Sequence, residues 1–122
     1  MAEAVRCAAA ALALCIAPGA LAGNADVLDA QARCDARRLC EFTVTVRHAD
    51  TGRDHYANAW IVRTPDGTVL ATRRLLHPHV DEQPFTRSLS GVSVPAGIRT
   101  VIIEATDSIH GAAGARFHLD LD

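Results

Sequence analysis

The sequence contains no lysine: all 12 of its basic residues are arginines, set against 14 acidic residues for a net charge of −2. A near-neutral chain without a basic cluster lacks the electrostatic footprint that grips a phosphate backbone, so nucleic acid is excluded as a partner. Long apolar runs are also scarce. The one candidate, Cys7 to Ile16, is shorter than the roughly 20 residues that a membrane-crossing helix needs, and Pro18-Gly19 interrupts it, so no membrane span is expected. No C-x-x-C pair, internal repeat, coiled-coil heptad or Gly-x-Ser-x-Gly elbow occurs, which argues against thioredoxin-type redox chemistry, repeat architectures and α/β-hydrolase catalysis.

What stands at the N-terminus has the form of a secretion signal. Arg6 supplies the positive charge, Cys7 to Ile16 the apolar run, and Ala20-Leu21-Ala22 an A-x-A site, so cleavage is expected after Ala22 and the chain is expected to be periplasmic or secreted. Lipid attachment at Cys15 is disfavoured because the preceding residue, Leu14, is bulky where a small one is required. The remaining chain of about 100 residues is enough for one domain and one modest core. It divides on sequence into the signal 1–22, a lead-in 23–40 and a domain 41–122.

Only Cys34 and Cys40 remain after cleavage, an even number in an oxidising compartment. A structural disulfide is favoured over a pair that cycles between oxidised and reduced forms. Closing so short a loop is worth about 2 kcal/mol through restriction of the unfolded chain.

Between Asn24 and Arg38 an Ala-rich, charged pattern, with Asp26 as a cap and Val27, Leu28 and Ala32 on one face, predicts a short N-terminal helix or an ordered lead-in. After Cys40 the period becomes two. Phe42, Val44 and Val46 alternate with Thr43, Thr45 and Arg47, and His48 follows on the apolar face. Strands are expected over Tyr56 to Arg63 and Thr68 to Leu76, joined by the Pro65-Asp66-Gly67 turn, then over Phe85 to Leu89, Ile98 to Ala105 and Ala115 to Leu121. About six short strands with turns every ten residues or so imply an all-β, immunoglobulin-like antiparallel β-sandwich, with the lone Trp60 in its core.

Five of the six histidines sit at strand ends or in loops. His48 and His55 bracket the first loop, His77 and His79 bracket Pro78, and His110 opens the last one. Alternating strand directions bring His48, His55, His77 and His79 to one end, and His110 joins them if the penultimate strand runs the same way as the first. Asp107 would then supply a carboxylate, with Asp50, Asp54 and Glu82 near enough to ligate or to orient a ligand. Neutral imidazole is the commonest transition-metal ligand, and several of them with a carboxylate suit iron or copper. Each histidine can equally be a surface residue or a backbone hydrogen-bond partner, and His-Pro-His can serve only to fix a turn.

Two further groups have plain readings. Arg87 is expected to pair with Glu82 or Asp81 while Pro84 and Phe85 anchor a crossover between sheets. Ser108, His110 and Asp107 are too close in sequence for a catalytic triad.

His48, Asp54-His55-Tyr56 followed by Trp60-Ile61, and Asp107-Ser108-Ile109-His110-Gly111 resemble the iron site of the superoxide reductases, the desulfoferrodoxin and neelaredoxin group. That resemblance implies an immunoglobulin-like sandwich with a histidine-bound iron. The family's axial cysteine thiolate falls on Asp107, and the gap from His48 to His55 is one residue longer than usual, so harder ligands and altered redox chemistry are implied. Two functions follow: a metal-binding sandwich with a redox or metal-handling role, or a non-enzymatic accessory module whose end loops or sheet edge bind a protein partner.

Overall fold

The computed structural model describes residues 23–121, so the expected signal peptide lies outside the described residues. Seven strands follow in chain order among them: β1 (Asp26–Cys34), β2 (Leu39–Arg47), β3 (Ala57–Arg63), β4 (Val69–Arg74), β5 (Phe85–Ser93), β6 (Thr100–Asp107) and β7 (Phe117–Asp120). They form a three-stranded sheet ordered β1-β2-β5 and a four-stranded sheet ordered β4-β3-β6-β7, with every pairing antiparallel. No α-helix occurs among the described residues.

The expected N-terminal helix is therefore corrected to a strand, and the reason is a bulge. β1 pairs Val27 with Val46 and Asp29 with Thr45, leaving Leu28 as an extra residue. A bulge shifts the two-residue alternation by one. Val27 and Ala30 consequently both face inward while Leu28 is 39% exposed. Apolar positions three apart imitate a helical face, and the competing information, the partner strand β2, is not local. Cys34 and Cys40 face each other across β1 and β2 and form the expected disulfide, with an S–S distance of 1.99 Å. Exported protein is expected to be two hydrogens lighter than the dithiol by intact mass, and reduction should lower unfolding free energy by about 2 kcal/mol in urea titration.

Both sheets turn their apolar faces to one core. From β2 come Cys40, Phe42, Val44 and Val46; from β3, Ala57, Trp60 and Val62; from β6, Val101, Ile103 and Ala105; all are buried. The alternation continues one step past each apolar run. On β2 the next inward position is His48, 2% exposed, and on β6 it is Asp107, 3% exposed. One polar residue from each sheet thus closes the same end of the core.

The register fixes that end. Ala57 opposes Asp107, Val46 opposes Phe85, Asp26 opposes Arg47, and Ala59 opposes Arg74. The loops 48–56, 75–84 and 108–116 and the segment entering β1 therefore share one pole. The segment 75–84 carries the chain from the four-stranded to the three-stranded sheet, and the buried Phe85 anchors its arrival, as expected. Glu82 and Arg87 make a bidentate pair with N–O distances of 2.9 and 3.2 Å.

Candidate metal centre

Asp107 organises the last loop before it does anything else. Its Oδ1 accepts the backbone N–H groups of Ile109, at 2.8 Å, and of His110, while the chain closes a tight turn through Asp107 N–H to Gly111 O at 3.1 Å. Gly111 sits at φ 65°, a conformation that glycine adopts without a Cβ penalty. This turn folds His110 back over the strand end. The other oxygen, Oδ2, is left facing the interior of the pole.

Three imidazole nitrogens converge on that oxygen. His48 Nε2 lies 3.2 Å away, His55 Nε2 3.3 Å and His110 Nδ1 3.0 Å. Donor atoms of His48, His55 and Asp107 all fall within 4.8 Å of one another. The rings of His48 and His55 meet edge to face at 4.7 Å, and those of His55 and His110 lie 5.1 Å apart. The His48 and Asp107 side chains are fully buried, His55 is 24% exposed and His110 40% exposed, so the group has a closed floor and an open mouth.

Asp50 holds the floor from behind. Its Oδ1 stands 2.5 Å from His48 Nδ1 and accepts the Ala57 N–H at 3.0 Å; its Oδ2 accepts the His79 N–H at 2.6 Å. Gln83 adds a second clamp, accepting the His48 N–H at 2.9 Å and donating to His79 O at 3.0 Å. Loop 48–56 and loop 75–84 are thereby tied together around His48.

His48 thus presents both ring nitrogens to buried carboxylate oxygens. A neutral imidazole carries one N–H, so it can donate to Asp50 or to Asp107 but not to both. Burial pushes the Asp107 carboxyl up, but hydrogen bonds from the His110 backbone and ring, the Ile109 N–H and the His55 ring outweigh it and hold the carboxyl far below the usual carboxylate range. The oxygen facing the three rings is accordingly an anion.

His77 and His79 share the pole but stand apart from this group. His79 stacks on Phe85, with ring centroids 4.1 Å apart and planes 9° apart, as part of the apolar wall, and its buried Nδ1 has no hydrogen-bond partner among the described residues. Burial, the Arg87 guanidinium and His77 keep its imidazole below the ordinary histidine range. His77 is exposed; its Nδ1 lies 3.3 Å from Pro78 O and its ring centroid 4.9 Å from that of His79. Among the carboxylates considered with them, Glu82 is engaged by Arg87, Asp54 offers a backbone carbonyl to Ser108 Oγ at 3.4 Å, and Asp50 acts behind His48. Ser108 Oγ accepts the Tyr56 N–H at 3.1 Å, which leaves it engaged with backbone rather than with an imidazole, as expected for a non-triad serine. Gln83 was not legible as a site residue, because nothing in its local sequence signals a clamp between two loops.

The chain is 39% identical over 99 residues to a Halomicrobium mukohataei protein named "Putative lipoprotein", a match that covers 81% of this chain and 48% of the relative. The chain therefore spans about half the length of that relative. No family model and no solved structure matches it.

Proposed function

We propose that this pole binds a transition-metal ion, iron or copper, through His48 Nε2, His55 Nε2, His110 Nδ1 and Asp107 Oδ2. The observation that carries the reading is His48 held between two buried carboxylates. A cation at its Nε2 accepts the lone pairs of all three rings and the charge of Asp107, while His48 Nδ1–H donates to Asp50. This is the carboxylate–histidine–metal arrangement that fixes a ligand's tautomer and raises its basicity. Ligand atoms bonded at about 2.0–2.2 Å around a tetrahedral or octahedral ion stand roughly 3.0–3.4 Å apart. The 3.2 and 3.3 Å separations of the His48 and His55 nitrogens from Asp107 Oδ2 fall in that range, while His110 Nδ1, 3.0 Å from the same oxygen, stands outside the three-residue group whose donor atoms all lie within 4.8 Å of one another and would have to swing inward to join it.

The exposure of the His55 and His110 rings, 24% and 40%, opens that side of the group to solvent and small solutes, which supports a redox or metal-handling role. The resemblance to superoxide reductases agrees with this placement, while a carboxylate in place of a thiolate favours a different potential. The strand order, with consecutive β2 and β3 in opposite sheets and Trp60 buried on β3, supports an immunoglobulin-like fold. The N-terminal pattern, the disulfide and the relative's name together support an exported, envelope-facing protein.

Elemental analysis of exported, untagged protein is expected to find about one iron or copper per chain. That content should vanish in His48→Ala and in His55→Ala; the second variant removes a partly exposed ring, so it retains the fold. Correctly folded protein that takes up none of iron, copper or zinc would overturn the reading.

A second reading draws on the rim. Leu76, Val80 and Ile109 are 72%, 50% and 61% exposed on the loops of the same pole. Exposed aliphatic side chains around a polar floor suit a docking surface for a protein partner. Under that reading the histidines serve the interface and bind no metal.

A further inference from the structure

We infer that the α-amino nitrogen of Gly23, freed by cleavage after Ala22, is a further ligand of the metal centre, which is therefore completed only in the processed chain. This rests on the metal reading above. The observation behind it is a close approach. A Cβ built on Gly23 would lie 2.9 Å from Cε1, 3.3 Å from Nε2 and 3.5 Å from Nδ1 of His110, so the backbone of Gly23 lies directly against the imidazole. Bond geometry then places the Gly23 nitrogen within about 6 Å of His110 Nδ1.

The approach is enforced by the fold. Ala115 N–H donates to Asp26 Oδ1 at 2.7 Å, and Val27 N–H donates to Ala115 O at 2.9 Å. Gly114 presses so closely on the entering chain that a Cβ there would meet Ala25 O at 1.9 Å. Ala25 itself is fully buried. The loop that carries His110 is thus bolted to Ala25, Asp26 and Val27, which sets Gly23, two residues upstream of the first of them, beside the pole.

Cleavage changes the chemistry of that nitrogen. In the precursor it is a peptide nitrogen whose lone pair is delocalised into the carbonyl, and it is no donor. After cleavage it is a primary amine, ordinarily protonated near neutrality, that releases its proton to solvent when a metal binds and then offers a localised lone pair, a nitrogen donor of the same class as imidazole and suited to the same ions. No covalent step beyond the cleavage is required. Glycine matters because any larger side chain would push the His110 ring out of place.

Intact mass of the exported protein is expected to place its N-terminus at Gly23. Copper or iron affinity is then measured by competition titration on three forms: one beginning at Gly23, one retaining Ala22, and one beginning with Gly23→Ala. Retaining Ala22 should weaken binding at least tenfold and remove one nitrogen from the copper superhyperfine pattern, with the melting temperature of the metal-free protein unchanged. The Gly23→Ala form should also weaken, through displacement of His110. Equal affinity for the Gly23 and Ala22 forms, with His55→Ala still abolishing binding, overturns the inference and leaves the metal reading intact. A mature N-terminus other than Gly23 also overturns it. Absence of binding in every form overturns both.

Discussion

Asp107→Asn is expected to lower metal affinity by more than the roughly 10–100-fold that loss of an outer partner costs, because it removes the anion on which three rings converge. The amide retains one oxygen, so the turn through the Ile109 and His110 N–H groups can survive. The other end becomes an NH2 group facing His48, His55 and His110, which can neither ligate nor balance a cation. Competition titration with a chromogenic chelator checks this, and circular dichroism establishes that the sheets persist. An Asn variant that binds as tightly as the parent would exclude Asp107 as a ligand.

The same substitution has a pH signature in metal-free protein. The Asp107 carboxyl is held below its ordinary range, so its contribution to stability is complete above the unfolded value of about 3.9 and declines as pH falls below it. The gap in melting temperature between parent and Asp107→Asn should therefore be widest near neutrality and narrow below about pH 4. A gap independent of pH would show that the ionised form of Asp107 does nothing for the fold.

Trp60→Ala is expected to destabilise the domain by about 3–5 kcal/mol, a large part of the roughly 5–15 kcal/mol available to a small domain. Trp60 is fully buried, at the centre of β3 between β4 and β6. Among the described residues its Nε1–H has no hydrogen-bond partner, so the residue stays in the core for the volume of its indole. Trp60→Phe removes that unsatisfied donor along with part of the volume, and the two effects oppose each other. Urea denaturation should accordingly rank Trp60→Phe close to the parent and Trp60→Ala far below it. Equal losses in the two variants would mean that the indole nitrogen has a partner after all.

The fold was legible wherever alternation was unbroken. Phe42, Val44 and Val46 marked β2, and the Pro65-Asp66-Gly67 turn marked the β3–β4 hairpin, because both signals are local. β1 was misread for the opposite reason, since a bulge at Leu28 replaced a period of two by a spacing of three that only pairing with β2 explains. β5 runs on to Ser93, beyond the expected end at Leu89, through Gly91 at φ 73°, where a glycine that resembles a strand terminator is accommodated within the strand.

The site was half legible. His48 followed its strand's inward rhythm, and His55, His110 and Asp107 were identified as loop-end donors. Whether His110 shared their pole depended on the direction of β6, which the antiparallel register of Ala57 with Asp107 supplies. His77 and His79 looked equivalent to the others because spacing cannot distinguish a ring facing a carboxylate from one lying on Phe85. The clamp by Gln83 and the contact between Gly23 and His110 join residues 35 and more positions apart, and no short-range pattern encodes them.

His48 and Asp107 each sit one step beyond an apolar row, and the rows belong to different layers. A slip of either strand by a single residue would turn its polar terminus to solvent and leave an ion with donors from one layer alone. Tight occupancy of the proposed centre would thus be conditional on correct strand pairing in both layers at once, so in a mixture of refolded material an ion bound there would select the properly paired species and stabilise it by mass action.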